Sequence, residues 1–163
     1  MLVTMGGIAG TELPLARMQK IQKFCFVLPG QAKGESRVQD NLFFLPSDSG
    51  IWHPDLIAAC DAVVGKVGYS TLAEVWQAGV PYGSICRSLF RESGPLAAFI
   101  KQELPSLPIT EKQFRDGTWL ELLDQLCACS PAEQKRENGA SAAADFLAGL
   151  LKNVKCTLRE GQH

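Results

Sequence analysis

Apolar residues along this chain occur in short runs that glycine, proline and polar residues separate. Runs of three to five apolar residues predict buried strands at residues 2–5, 24–28, 42–45, 62–64 and 82–86, with a short edge strand at 107–110. Helical spacing of apolar positions predicts helices from residue 11 or 12 to 21 and at 54–60, 72–78, 95–103, 118–127 and 131–151. The polar segment 31–40 is expected to form a short helix or a loop.

The alternation of strands and helices predicts βαβ units. We therefore expect an α/β, Rossmann-like fold with a largely parallel sheet of about six strands and helices on both faces. This domain is expected at residues 1–152, followed by a flexible C-terminal tail at 153–163. Such folds bind ligands outside the carboxyl ends of the strands, where the strand order reverses. The predicted loops at that edge are 6–10, 47–53, 65–70 and 87–94.

Composition describes an ordinary globular chain and excludes several classes of partner. The 163 residues are 46% hydrophobic and 20% charged, with a formal net charge of −1. Lysine and arginine are scattered, so no nucleic-acid surface is expected. No apolar run approaches the roughly 18 residues that a membrane span needs. The N-terminus has no signal-peptide pattern and enters a strand at once, which suggests an excised domain or one half of a larger protein.

Cysteine and histidine usage points to a reducing, cytoplasmic setting without a bound metal. Cys25, Cys60 and Cys86 lie in or beside apolar patterns, as buried free thiols do. The Cys127-Ala128-Cys129 spacing differs from that of zinc or redox sites, and the chain has only two histidines.

The segment from Asp61 to Glu74 combines a strand, a glycine turn and the start of a helix. Gly65 and Gly68 would allow a sharp turn and the approach of a ligand, and Ser70 and Thr71 are good N-cap residues. A helix N-terminus after a strand offers free N–H groups and a positive dipole end to a phosphate. Alternatively, Thr71 and Glu74 form a capping box that needs no ligand.

A wider set of residues carries a resemblance to a known family. It consists of Asp61-Ala-Val-Val-Gly-Lys-Val-Gly68, Thr71-Leu-Ala-Glu74, Ala78-Gly-Val-Pro81 and the opening Thr4-Met-Gly-Gly7. These residues resemble the C-terminal, donor-binding half of two-domain (GT-B) glycosyltransferases, of the type that adds N-acetylglucosamine in peptidoglycan synthesis. Together with Arg87 and Phe90-Arg-Glu92, the run Gly65-Lys-Val-Gly-Tyr-Ser-Thr71 is also similar to the glycosyltransferase-like region fused to some plant sugar kinases.

The resemblance implies a role for each matching position. The diphosphate would be bound by Gly6, Gly7, Gly68, Tyr69, Ser70 and Thr71. The ribose and base would be bound by Glu74, Ile51, Trp52 and His53. The donor sugar would be bound by Arg87, Arg91, Glu92 and Ser93. It implies no catalytic residue here, because the family generally draws its base from the other half.

The function that the resemblance implies is binding of a nucleotide sugar, such as a UDP-sugar, as a substrate without any cofactor. Transfer would need an acceptor-binding domain or subunit, and a homodimer could cover an apolar docking face. Two alternatives are a non-catalytic sensing or interaction domain and a nucleotide-sugar epimerase or hydrolase. The first is favoured by Arg91-Glu92-Ser93, which replaces the glutamines and asparagine of the family's sugar loop.

Several side chains have two interpretations from sequence. Lys66 could neutralise phosphate or be solvated. Trp52 could stack on a base or pack inside the domain. His53 could act in acid–base chemistry or serve as a cap or loop residue. Arg87 could contact a ligand or pair with Glu92.

Overall fold

The computed structural model describes residues 1–5, 12–87, 91–130 and 139–160, with the side chains of 153–160 left out. The strands are β1 (Leu2–Thr4), β2 (Phe26–Ala32), β3 (Arg37–Gln39), β4 (Leu42–Pro46), β5 (Val63–Lys66), β6 (Tyr82–Ile85) and β7 (Ser106–Ile109). The helices are α1 (Leu15–Met18), α2 (His53–Ala58), α3 (Tyr69–Ala78), α4 (Ser93–Glu103), α5 (Glu111–Asp116), α6 (Leu123–Cys127) and α7 (Gly139–Glu160). A 3-10 helix, Thr118–Leu122, precedes α6.

The strands form one sheet in the order β3-β4-β2-β1-β5-β6-β7. All neighbouring pairs are parallel except β3 and β4. The chain therefore builds outward from β1 in both directions, and the strand order reverses between β1 and β5. Residues at the carboxyl ends of these two strands are in register, with Thr4 beside Gly65. This is the Rossmann-like α/β architecture expected from sequence, and it puts the predicted ligand crevice beside β1 and β5.

Alternate residues of the central strands enter two separate cores on opposite faces of the sheet. Val3 and Val64 join a core with α1, α5 and α6, whose largest buried side chain is Trp119. Leu2 and Val63 join a second core with α2, α3 and α4. Burial on both faces explains why the short apolar runs predicted these strands well.

Several elements differ from the sequence-based expectation. Segment 31–40 was expected to be a helix or loop, but it contains the antiparallel edge strand β3, where the Arg37 guanidinium lies 4.0 Å from the centre of the Phe44 ring. Helix α1 starts only after Pro14 and has four residues. Helix α5 was not predicted, although Thr110 and Gln113 form a complete capping box at its start.

The C-terminal helix extends further than its apolar pattern suggested. A helix was expected to end near residue 151, whereas α7 reaches Glu160. The chain divides into two compact units, residues 1–133 and 134–163. The predicted domain boundary at residue 152 stays a prediction, although α7 crosses it.

The cysteine prediction is confirmed in part. Cys60 is buried, Cys86 is partly buried, and burial raises the pKa of both thiols. The expectation is wrong for Cys25, which is exposed just before β2. In the part of the chain that the structure describes, no helix is long and apolar enough to cross a membrane.

Candidate functional site

Helix α3 begins at the carboxyl edge of the sheet without a side-chain cap. Gly68 is its N-cap residue, and the first helical hydrogen bond runs from the Leu72 N–H to the Gly68 carbonyl, 2.9 Å. Ser70 and Thr71, expected as caps, lie inside the first turn. The capping-box alternative is therefore wrong, and among the described residues no side-chain cap bonds the N–H groups at this helix start.

Tyr82 holds the end of β5, the strand that leads into α3, through two hydrogen bonds. The buried phenol donates to the carbonyls of Lys66, 3.0 Å, and Gly65, 3.3 Å. Burial raises the pKa of this phenol far above its ordinary value, so it stays a donor. The Val67 N–H also donates to the Ile85 carbonyl, 2.9 Å. These bonds hold the end of β5, and with it the start of α3, in a fixed position.

The two glycines of the turn have different environments. Gly65 is buried in β5, and a Cβ atom there would lie 2.4 Å from the Thr4 carbonyl oxygen. Its small size is therefore required by the contact between β5 and β1. Its expected place in a sharp turn is wrong because it lies within β5, and the approach of a ligand to it stays a prediction. Gly68 is extended and has room for a Cβ, whose nearest neighbour would be Lys66 Cε at 3.8 Å.

Lys66 extends toward the start of α3. A Cβ atom on Gly68 would lie 3.8 Å from the Lys66 Cε atom, so the lysine side chain passes beside the N-cap residue of α3. The side chain is partly buried, and no carboxylate in the described residues pairs with it. A lysine side chain and a helix N-terminus thus lie side by side, and phosphate sites use this combination.

Glu74 and His53, both expected at the ribose and base, contact each other directly. His53 Nδ1 lies 2.6 Å from Glu74 Oε2, and the pair joins α2 to α3. The two side chains are 32% and 24% exposed. His53 is not a helix cap, because Trp52 holds the N-cap position of α2.

The residues before His53 project into solvent. Trp52 is 71% exposed and Ile51 is 49% exposed, and Tyr69 at the start of α3 is 65% exposed. The interpretation of Trp52 as a packing residue is therefore wrong. Two of these large side chains lie in the loop before α2 and the third lies in the first turn of α3, and exposed apolar surface of this kind commonly marks a binding site.

Of the residues expected at the donor sugar, Arg87, Arg91 and Glu92 lie between β6 and α4, and Ser93 is the first residue of α4. Arg91 and Glu92 are exposed, and the Ser93 hydroxyl donates to the Arg87 carbonyl, 2.5 Å. That bond uses the Ser93 hydroxyl proton to join the start of α4 to Arg87. Gly6 and Gly7, expected at the diphosphate, lie outside the described residues, as do residues 88–90.

Arg87 also lines a cavity of about 350 Å³ that sequence reasoning missed. The cavity lies beyond the carboxyl ends of β1, β6 and β7, and its wall is formed by Met5, Glu12, Ile85, Arg87, Glu111, Phe114 and Arg115. The capping box at Thr110 could have predicted α5, which supplies three of these residues. None of the residues at the start of α3 lines this cavity. Within the described ranges, no cluster of three histidines, cysteines or carboxylates could hold a metal ion.

Comparison with known proteins gives one informative similarity. The chain is 27% identical over 104 residues to L-arabinokinase from Arabidopsis thaliana. The match covers 64% of this chain but only 10% of that protein, so the chain corresponds to a small part of a much longer relative. No family model matches the chain, and no solved structure matches it. The predicted resemblance to a region fused to some plant sugar kinases is thus supported in part, and the resemblance to GT-B glycosyltransferases stays a prediction.

Proposed function

We propose that this chain binds the nucleoside diphosphate of a nucleotide sugar, such as a UDP-sugar, as the donor-binding part of a glycosyltransferase-like protein. The observation that carries the proposal is the uncapped start of α3, with Lys66 beside it, at the reversal of strand order. Open α/β sheets bind their ligands at this point.

The diphosphate is proposed to lie against the first turn of α3. The N–H groups of Tyr69, Ser70 and Thr71 would donate to its oxygens, and the Lys66 ammonium would neutralise its charge. The exposed hydroxyl of Ser70 adds a further donor. Helix dipole and ammonium act together there, and neither needs a metal ion to bind an anion.

The nucleoside is proposed to extend from the helix start toward α2. Glu74 lies one helical turn after Ser70 on the same face of α3, where its carboxylate would accept hydrogen bonds from ribose hydroxyls. Trp52 offers a large, exposed ring on which a base could stack. This arrangement uses the residues that the family resemblance assigns to the ribose and base.

The proposed role is donor binding, with transfer dependent on an acceptor-binding domain or subunit. In a transferase, the same N–H groups and Lys66 would stabilise charge on the leaving diphosphate. The similarity to a small part of L-arabinokinase supports a place in a sugar-handling protein. The activity in that name belongs to the whole relative and is not assigned to this chain.

Titration calorimetry tests the proposal with UDP, UDP-sugars and uridine. We expect micromolar affinity for UDP and about tenfold weaker binding after Lys66→Gln, a loss of roughly 1.4 kcal/mol. Uridine binding should not change, because uridine has no phosphate. Lys101→Gln is the matched control, since this exposed lysine lies in the last turn of α4. That turn is at the amino ends of the strands, away from the start of α3. Absence of UDP binding at millimolar concentration would contradict the proposal.

A second candidate, a sensing or interaction domain that transfers no sugar, is favoured by the loop before α4. Arg91 and Glu92 are exposed, and the Ser93 hydroxyl already bonds the Arg87 carbonyl. A sensor of the nucleotide alone would bind UDP and UDP-sugars equally. A donor site would distinguish between UDP-sugars that differ only in the sugar.

A further inference from the structure

We propose that His53 is a positioning residue that holds the Glu74 carboxylate ready for a ribose diol, and so makes the site select ribonucleotides over dideoxyribonucleotides. This inference rests on the proposed function. The family resemblance assigns His53 and Glu74 to the ribose and base separately. The structure adds the hydrogen bond between them.

The first argument is the geometry of the pair. An ionised carboxylate only accepts hydrogen bonds, so His53 Nδ1 carries the hydrogen and donates to Glu74 Oε2 over 2.6 Å. The other oxygen, Oε1, makes no hydrogen bond to any described residue. The histidine thus fixes one carboxylate oxygen and leaves the second free to accept.

The second argument is the location of the pair. His53 is the first residue of α2, and it contacts Glu74 in the second turn of α3. Glu74 lies one helical turn after Ser70, which belongs to the uncapped start of the same helix. The His53 side chain is about two-thirds buried and that of Glu74 about three-quarters buried, so each keeps an exposed portion. We propose that the ribose of a ligand bound at the start of α3 contacts the Oε1 oxygen, one helical turn further along.

The third argument concerns preorganisation. An unrestrained glutamate samples many rotamers, and a ligand that orders it loses affinity. The hydrogen bond to His53 orders Glu74 before the ligand arrives. A group held in this way discriminates strongly against analogues that lack its hydrogen-bond partner, because it is then left without its bond.

The test compares UDP with 2′,3′-dideoxyuridine diphosphate on the full chain. For the unaltered protein we expect at least tenfold tighter binding of UDP. Glu74→Gln and His53→Ala should each bring this ratio within about twofold, while the affinity for the dideoxy nucleotide stays unchanged. His53→Asn should restore most of the preference, because its amide N–H can donate from nearly the position of Nδ1. Circular dichroism and a urea midpoint confirm that each variant is folded.

Each result supports or overturns the inference. If His53→Ala keeps the tenfold ratio, or weakens both nucleotides equally, the histidine is only structural and the positioning role fails while nucleotide binding stands. If the unaltered protein binds both nucleotides equally, Glu74 does not read the ribose and the inference also fails. If it binds neither nucleotide, the proposed function fails as well, so the two failures are distinguishable.

Discussion

At the scale of single residues, two glycines of one sequence motif have different structural roles. Gly65 allows the close contact of β5 with β1, whereas Gly68 leaves the start of α3 without a side-chain cap. Sequence predicted the importance of both glycines but assigned both to a ligand. It also selected His53 and Glu74 separately. Their contact depends on how α2 packs against α3 across 21 residues of chain, which local pattern does not contain.

Substitution of the two glycines by alanine should affect the free energy of unfolding to different extents. Gly65→Ala should lower the free energy of unfolding by about 3 kcal/mol, because the new Cβ would meet a backbone oxygen that cannot move freely. Gly68→Ala should cost less, about 1 kcal/mol, because nothing lies closer than 3.8 Å and the loss is only that of alanine replacing glycine at an N-cap. Urea denaturation measures both. Equal losses in the two variants would show that our account of Gly65 is wrong.

At the scale of elements, apolar runs predicted the buried parallel strands, and tertiary context decided the rest. Strand β3 consists of exposed residues, so no hydrophobic pattern marks it, and its pairing with β4 defines it. The start of α3 was predicted within a few residues, but its cap was not. Short helices such as α1 depend on packing more than on propensity, which limits what sequence shows.

Helix α5 offers a prediction about its own capping box. Thr110 Oγ1 accepts from the Gln113 N–H, 3.1 Å, and the Gln113 side chain accepts from the Thr110 N–H, 2.9 Å. Thr110→Ala should therefore cost about 1 kcal/mol of unfolding free energy. Thr118→Ala is the matched control, since the 3-10 helix it starts has no side-chain cap. A urea midpoint for Thr110→Ala no lower than that of the control would contradict this assignment.

At the scale of the whole molecule, the sheet and both its cores belong to residues 1–133. The side chains of α7 that the structure describes, residues 139–152, are all exposed. Sequence predicted the α/β class because alternating elements require it. The strand order and the division into two units depend on long-range contacts, and no local pattern contained them.

Truncation tests this division. A chain that ends at residue 133 should unfold cooperatively at the same urea midpoint as the full chain, because it keeps both cores. It should also bind UDP with the same affinity, since α3, Lys66, Glu74 and His53 all lie within it. Loss of the cooperative transition would mean that residues 134–163 are needed for the fold.

The most direct test of the account follows the backbone amides at the start of α3 by ¹⁵N–¹H NMR during a UDP titration. We predict that the amides of Tyr69, Ser70 and Thr71 show the largest shifts, that these shifts saturate, and that Lys66→Gln weakens the titration about tenfold. The account is contradicted if these amides stay unmoved at millimolar UDP, or if the shifts fall instead on the cavity lined by Glu12, Glu111 and Arg115.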